Sequence, residues 1–280
     1  MSAARARVGI SGWTYAPWRS IFYPKGLAHK NELRYAAERM DSIELNGSFY
    51  ALQKPASYRH WAEETPDDFV FSIKGGRYVT HIRRLQNPTE ALSSFFASGL
   101  LTLGDKLGPL LWQLPPNLHF DSRLLDAFFA ALPRTAMDAA ALGRTSTLDE
   151  SRTWTAVTAD RPLRHAIEVR NASFVDDGFI ELARAHGVAI VVADTAGRWP
   201  RLREVTTDFM YLRLHGDEEL YTSGYTPEAL DAWARDIRGW VDGTACPDGD
   251  GRDVYVYFDN DTKVRAPVDA MALRERLADV

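Results

Sequence analysis

The sequence is short of several things, and each shortage narrows its reading. It holds a single cysteine, Cys246, so no internal disulfide can form, and this thiol sits in the polar run "DGTACPDGDGR" without a neighbouring base. No apolar run approaches the roughly 20 residues that span a bilayer, and the opening "MSAARARVGI" lacks the long apolar segment of a secretory signal. No membrane partner is expected, and the cytoplasm is the expected location. A basic excess is also missing: the net charge is -5, unlike a general nucleic-acid binder. There is no GxSxG elbow, no HxH and no HExxH, and "GISGWTYAPW" stands where a glycine-rich nucleotide turn would follow a first strand. Nucleophilic catalysis is therefore poorly served, and no nucleotide cofactor is expected.

What is present is a rhythm. Of 280 residues, 45% are apolar, enough for a large core. Strand-like segments at 7–13, 42–50, 69–75, 108–115, 164–170, 188–194, 208–216 and 253–261 alternate with helix-like ones, among them "NELRYAAERM", a longer one near 89–103, and "DSRLLDAFFAAL", opened by the N-cap candidate Asp121. A stretch from about 133 to 162 shows little order, and "TAGRWPRLREVTT", after the sixth strand, reads as a loop where a helix is due. Eight such units fit an α/β fold, a single (β/α)8 TIM-like barrel over residues 1–280 with one irregular unit, since barrels of this kind run to about 250 residues.

In such barrels chemistry collects at the carboxyl ends of the strands. Those ends here carry Trp13, Glu44 and Asn46, Lys74, Gln113, Glu168 and Arg170, Asp194, Arg213 and His215, and Asp259 and Asn260. An unpaired buried charge costs several kcal/mol, so these groups need mutual pairing or a ligand. Alternation places Ser42, Glu44 and Asn46 on one face, Glu168 with Arg170 on another, and Tyr211, Arg213 and His215 on a third. Glu168, Asp194, His215 and Asp259 include the donor types a divalent metal takes, although pairing with Lys74, Arg170 and Arg213 satisfies the same carboxylates without one.

Two further features stand out. "SIKGGRYVTHIRRL" (72–85) puts Lys74, Arg77, Arg83 and Arg84 around His81, a loop that suits a phosphate or carboxylate if glycines 75 and 76 open their amides, and otherwise a solvated basic loop. Trp13, Tyr15, Trp18, Phe22 and Tyr23 crowd the first loop, as either a sugar- or base-stacking surface or a packing plug.

Taken in order, "GISGWTYAPW", "FYP" (22–24), "IELNGSFY", "FSIKGGRYVTH", "LLWQLPP", "AIEVRNASF", "YLRLHG" and "VYVYFDND" resemble the YecE-like family, also called domain of unknown function 72, nearly end to end. The resemblance implies a TIM-like barrel with a polar pocket, related in general terms to sugar isomerases. It carries over to Glu44, Asn46, Lys74, His81, Gln113, Glu168, Arg170, Arg213, His215 and Asn260. The chain departs from the family pattern with Gly47 inserted before Ser48, with Asp259 before Asn260, and with Asp269 where an asparagine is usual.

The expectation is thus an enzyme acting on a small polar or anionic, carbohydrate-like ligand by acid–base or metal-assisted chemistry. Glu168, His215, Lys74 and Glu44 are its catalytic candidates, with Asn46, His81, Gln113, Arg170, Arg213, Asn260 and Trp13 as ligand contacts. Phosphodiester chemistry on nucleic acid, of the endonuclease IV barrel type, is the weaker alternative, and a non-catalytic ligand-binding module the third. The oligomeric state is not encoded in any of these features.

Overall fold

A computed structural model of the protein describes residues 3–278. Nine strands alternate with helices along the chain, the alternation of an α/β, TIM-like fold. The count exceeds eight because the sixth expected strand is recorded in two pieces, β6 (Val188–Ile190) and β7 (Val192–Asp194), interrupted at Val191. Residues 195–208 contain no helix, as the loop-like sequence there implies. No helix among the described residues is long and apolar enough to cross a membrane.

The chain divides into two compact units. The first comprises Met1–Glu44 and Ala189–Val280. In it β1 (Ala6–Ser11) pairs in parallel with β2 (Ser42–Leu45) and with β9 (Asp253–Phe258), β9 pairs with β8 (Phe209–Leu214), and β8 with β7. The register sets Ser11 beside Glu44 and Arg213 beside Tyr257. Gly9 on β1 is obligatory for this pairing, since a Cβ there would lie 1.9 Å from the Ser42 carbonyl oxygen. Helices α1 (Glu32–Ala37), α8 (Pro227–Val241) and α9 (Arg265–Arg276) belong to this unit, with Leu230, Trp233, Ala234 and Ile237 forming the buried stripe of α8.

The second unit, Leu45–Val188, pairs β3 (Val70–Lys74) with β4 (Leu107–Gln113) and β4 with β5 (His165–Glu168), with Gln113 beside Glu168. Its helices are α2 (Gly47–Tyr50), α3 (Pro55–Glu63), α4 (Thr89–Ala97), α5 (Ser122–Ala131), α6 (Ala136–Gly143) and α7 (Asp177–Ala185). Asp121 caps α5 as expected, accepting from the Arg123 and Leu124 amides at 3.0 and 3.1 Å.

Three local expectations are corrected. The second strand stops at Leu45 instead of running to Tyr50: Asn46 has helical dihedrals, and Ser48 Oγ donates to the carbonyls of Leu45 and Lys74, closing a turn. The helix expected over 89–103 ends at Ala97, because Gly99 takes φ +106° where a Cβ would lie 2.5 Å from Pro55. The stretch 133–162 is not without order, since Thr135 caps α6, whose Ala136, Ala139, Ala140 and Gly143 are buried. These small residues let α6 approach α4 closely, and a Cβ on Gly143 would meet the Ala97 amide at 3.2 Å.

Candidate functional site

In the first unit the ends of β2, β8 and β9 are joined by one guanidinium. Glu44 and Arg213 are both fully buried. Arg213 Nε and Nη2 donate to the two oxygens of Glu44 at 3.0 and 2.8 Å, the planar fork of a bidentate pair. Nη2 also donates to Asp259 Oδ2 at 2.7 Å. Glu44 accepts further bonds from Ser11 Oγ (3.0 Å) and Tyr211 OH (2.6 Å), so its lone pairs are committed to holding the pair in place. Tyr211 and Arg213 thus share a face, as strand alternation requires.

His215 lies just past the end of β8, fully buried, with Nδ1 3.1 Å from Asp259 Oδ2 and Nε2 3.4 Å from Arg213 Nη1. The edges of Trp199 and Tyr221 stand against its ring, at centroid separations of 6.5 and 5.3 Å. Asp194 accepts from Tyr225 OH (3.2 Å) and Arg201 Nη1 (3.3 Å), and burial raises its carboxyl above the usual range. Asn260 donates to the Ser223 carbonyl (2.9 Å) and to Asp269 (2.8 Å), while its own buried Oδ1 has no hydrogen-bond partner. Trp13 is half-buried in the loop after β1, its carbonyl accepting from Tyr23 OH at 2.5 Å.

Sequence reasoning stopped one residue too early in "FDND". Asp261, in the helical turn after β9, has a buried Oδ1 without a hydrogen-bond partner. Burial, then the charge of Asp259, pushes its carboxyl up to about 8, so it carries its proton at neutral pH. Tyr15, whose hydroxyl donates to the Ser11 carbonyl at 2.5 Å, stands among the same acids; burial and then Asp261 and Asp259 raise its phenol further above the ordinary value. The only signal in the sequence is three acidic or amide residues in a row after a strand.

In the second unit Arg170 Nε donates to the fully buried Glu168 at 2.7 Å and its Nη2 to Gln113 Oε1 at 3.0 Å. Glu168 and Arg170 are paired, as their spacing suggests. Lys74 Nζ lies 4.7 Å from the Phe49 ring centroid, and the His81 ring meets the same Phe49 edge-on at 5.1 Å. Asn46 heads the turn into α2, with a buried Oδ1 that has no hydrogen-bond partner.

The metal set is not assembled. Among the described residues, no three His, Cys, Asp or Glu side chains are grouped to hold an ion. The candidate carboxylates are instead engaged by cations: Glu168 by Arg170, Asp194 by Arg201, and Asp259 by Arg213. The expectation for Gly75 is also corrected. The Gly75 amide donates to the Leu111 carbonyl at 2.8 Å, and a Cβ there would lie 2.3 Å from the Trp112 ring, so this glycine serves packing.

The alternating fold and the buried polar strand ends define an α/β protein of TIM-like class. Residues 7–280 match the family model described as "Protein of unknown function DUF72", and the chain belongs to that family. The UPF0759 protein YunF of Bacillus subtilis (strain 168) is 30% identical over 114 residues, 39% of each chain. The UPF0759 protein YecE of Escherichia coli (strain K12) is 28% identical over 129 residues, 45% of this chain and 44% of its own. The match thus spans less than half the length of either relative. A DUF72 family protein from Thermotoga maritima MSB8 has a similar structure, with a TM-score of 0.77 over 98% of this chain and 99% of that one, at 23% identity.

Proposed function

We propose that the protein is an enzyme that moves a proton on a small polar, carbohydrate-like ligand, with Asp261 as proton donor and Asp259 as acceptor. The observation that carries this reading is Asp261 itself: a carboxyl that burial and the neighbouring Asp259 push up to about 8, with a buried Oδ1 that has no hydrogen-bond partner. Two acids whose surroundings drive their proton affinities apart are the usual means of assigning donor and acceptor roles at one pH. Glu44, Arg213 and His215 act as positioning residues, since their contacts fix Asp259 and leave Glu44 no free lone pairs. The half-exposed rings of Trp199 and Tyr221 beside these acids support a sugar-like ligand, which presents both an apolar face and hydroxyls.

The test begins with a thermal-shift screen of aldoses, ketoses and their phosphates, followed by proton-exchange NMR on each binder in deuterated buffer. Asp261→Asn should keep ligand binding and lose at least about a hundredfold in exchange rate, the usual contribution of a positioned acid or base. Exchange at the wild-type rate in that variant would sink the proposal.

A further inference from the structure

The loop between β7 and β8 carries three arginines in the run "GRWPRLR", residues 197–203, and each lies over a tryptophan ring. Arg198 is 5.5 Å from the Trp199 centroid, Arg201 6.0 Å from that of Trp233, and Arg203 5.7 and 5.3 Å from those of Trp233 and Trp240. Their charges are not equally answered. Arg201 pairs with Asp194 at 3.3 Å, and Arg203 pairs with Asp236. Arg198 is exposed and has no carboxylate partner among the described residues. A cation over an exposed ring gains only about 0.5–1 kcal/mol, weak enough for an anion to recruit the guanidinium.

The backbone that carries Arg198 is fixed. Its amide donates to the Thr195 carbonyl at 3.0 Å, and the Trp199 amide donates to Thr195 Oγ1 at 3.0 Å. Thr195 itself is buried. Between these anchors Ala196 takes φ +49° and Gly197 φ +75°. An alanine held there costs about 1–3 kcal/mol, and strain of this kind collects at ligand clamps. The turn presents Arg198 and Trp199 in a set position before any ligand arrives.

That position adjoins the acids of the candidate site. The edge of Trp199 meets the His215 ring at 6.5 Å, and His215 Nδ1 is 3.1 Å from Asp259. Asp259 and Glu44 share one guanidinium, so an anion placed among them would meet repulsion. Arg198 occupies the face of the indole whose edge is turned to His215. It would hold an anion one ring away from those acids and leave the uncharged remainder of the ligand beside them.

We propose that Arg198 determines specificity by binding the anionic group of the ligand, so that the substrate is a sugar phosphate or sugar acid and not a neutral sugar. The inference rests on reading this site as a carbohydrate site, and it adds the charge that the ligand carries. A guanidinium offers a planar fork of N–H donors that suits phosphate and carboxylate alike.

The probes are glucose, its terminal phosphate and glucuronate, with ribose and fructose each set against its own terminal phosphate. Each is titrated calorimetrically into the full chain at constant ionic strength, so that screening is the same for every ligand. At least one anionic sugar should bind about tenfold more tightly than its neutral parent, the worth of one charged hydrogen bond. Glucuronate against the phosphate of glucose tells the carboxylate from the phosphoryl group. Arg198→Gln, an exposed change, should remove the preference and leave the unfolding midpoint where it was, and Arg198→Lys, which keeps the charge, should retain part of the preference. A wild-type protein that prefers no anionic sugar to its parent would overturn the proposal. So would an Arg198→Gln variant that keeps the preference. The two readings fail apart: a neutral sugar bound and exchanged through Asp261 removes this inference alone, whereas an anionic sugar preferred through Arg198 without Asp261-dependent exchange removes the proton-transfer reading alone.

Discussion

His165 offers a measurement of how strongly the second unit depends on one neutral imidazole. It is fully buried on β5; Nε2–H donates to the Pro133 carbonyl at 2.8 Å, and Nδ1 accepts from Trp112 Nε1 at 3.1 Å. Both nitrogens are satisfied only in the neutral ring, because a proton on Nδ1 would face the indole N–H. Burial lowers the group from 6.5 to about 4. In the unfolded chain the imidazole charges below about pH 6.5, whereas in the fold it resists until about pH 4. The unfolded state therefore binds more protons across this window, and stability is full above it and lost as pH falls through it. At about 1.4 kcal/mol per pH unit the loss approaches about 3 kcal/mol, roughly a fifth to three fifths of a typical domain's stability. The perturbation is His165→Gln, whose amide can accept from Trp112 and donate to Pro133 but cannot titrate. Urea unfolding of both proteins at pH 7, 6, 5 and 4 should give curves that diverge by about this amount toward low pH. Parallel curves would refute the reasoning, because every other titrating group is common to the two proteins.

Other predictions follow from the same geometry. Arg213→Met strands Glu44 and Asp259 and should cost about 3–5 kcal/mol in denaturant unfolding, with Glu44→Gln added to it recovering part of the loss. Gly75→Ala should cost about 1–3 kcal/mol, since its Cβ must displace the fully buried Trp112; an unchanged unfolding midpoint would contradict the packing described. Asp261 holds its proton to about pH 8 in the fold but releases it near 3.8 when unfolded, so it lowers stability as pH rises through that range. Asp261→Asn should therefore be relatively more stable at pH 8 than at pH 4, read from unfolding free energies at both.

Much of this architecture was legible because strands and amphipathic helices write themselves in periods. Alternation put Tyr211 with Arg213 on one face, and the structure joins both to Glu44. The same logic failed at Asn46, because the side-chain contacts of Ser48, which end the strand, lie on backbone carbonyls that no pattern displays. Helix α6 went unseen since its buried face is made of alanine and glycine, too weak a hydrophobic contrast to register as a stripe. Asp261 was invisible for a different reason: its retained proton comes from burial beside Asp259, a property of the fold and not of the spacing.

Arg213 has a consequence for descent as well as for chemistry. One guanidinium holds acids contributed by positions 44 and 259, more than two hundred residues apart, and its charge answers both. Neutralising either acid alone removes one charged partner of the guanidinium, and replacing the cation alone strands two anions. Among related sequences the three positions should therefore be exchanged together or kept together. A redesign of this pocket that begins by altering one of them will have to alter all three.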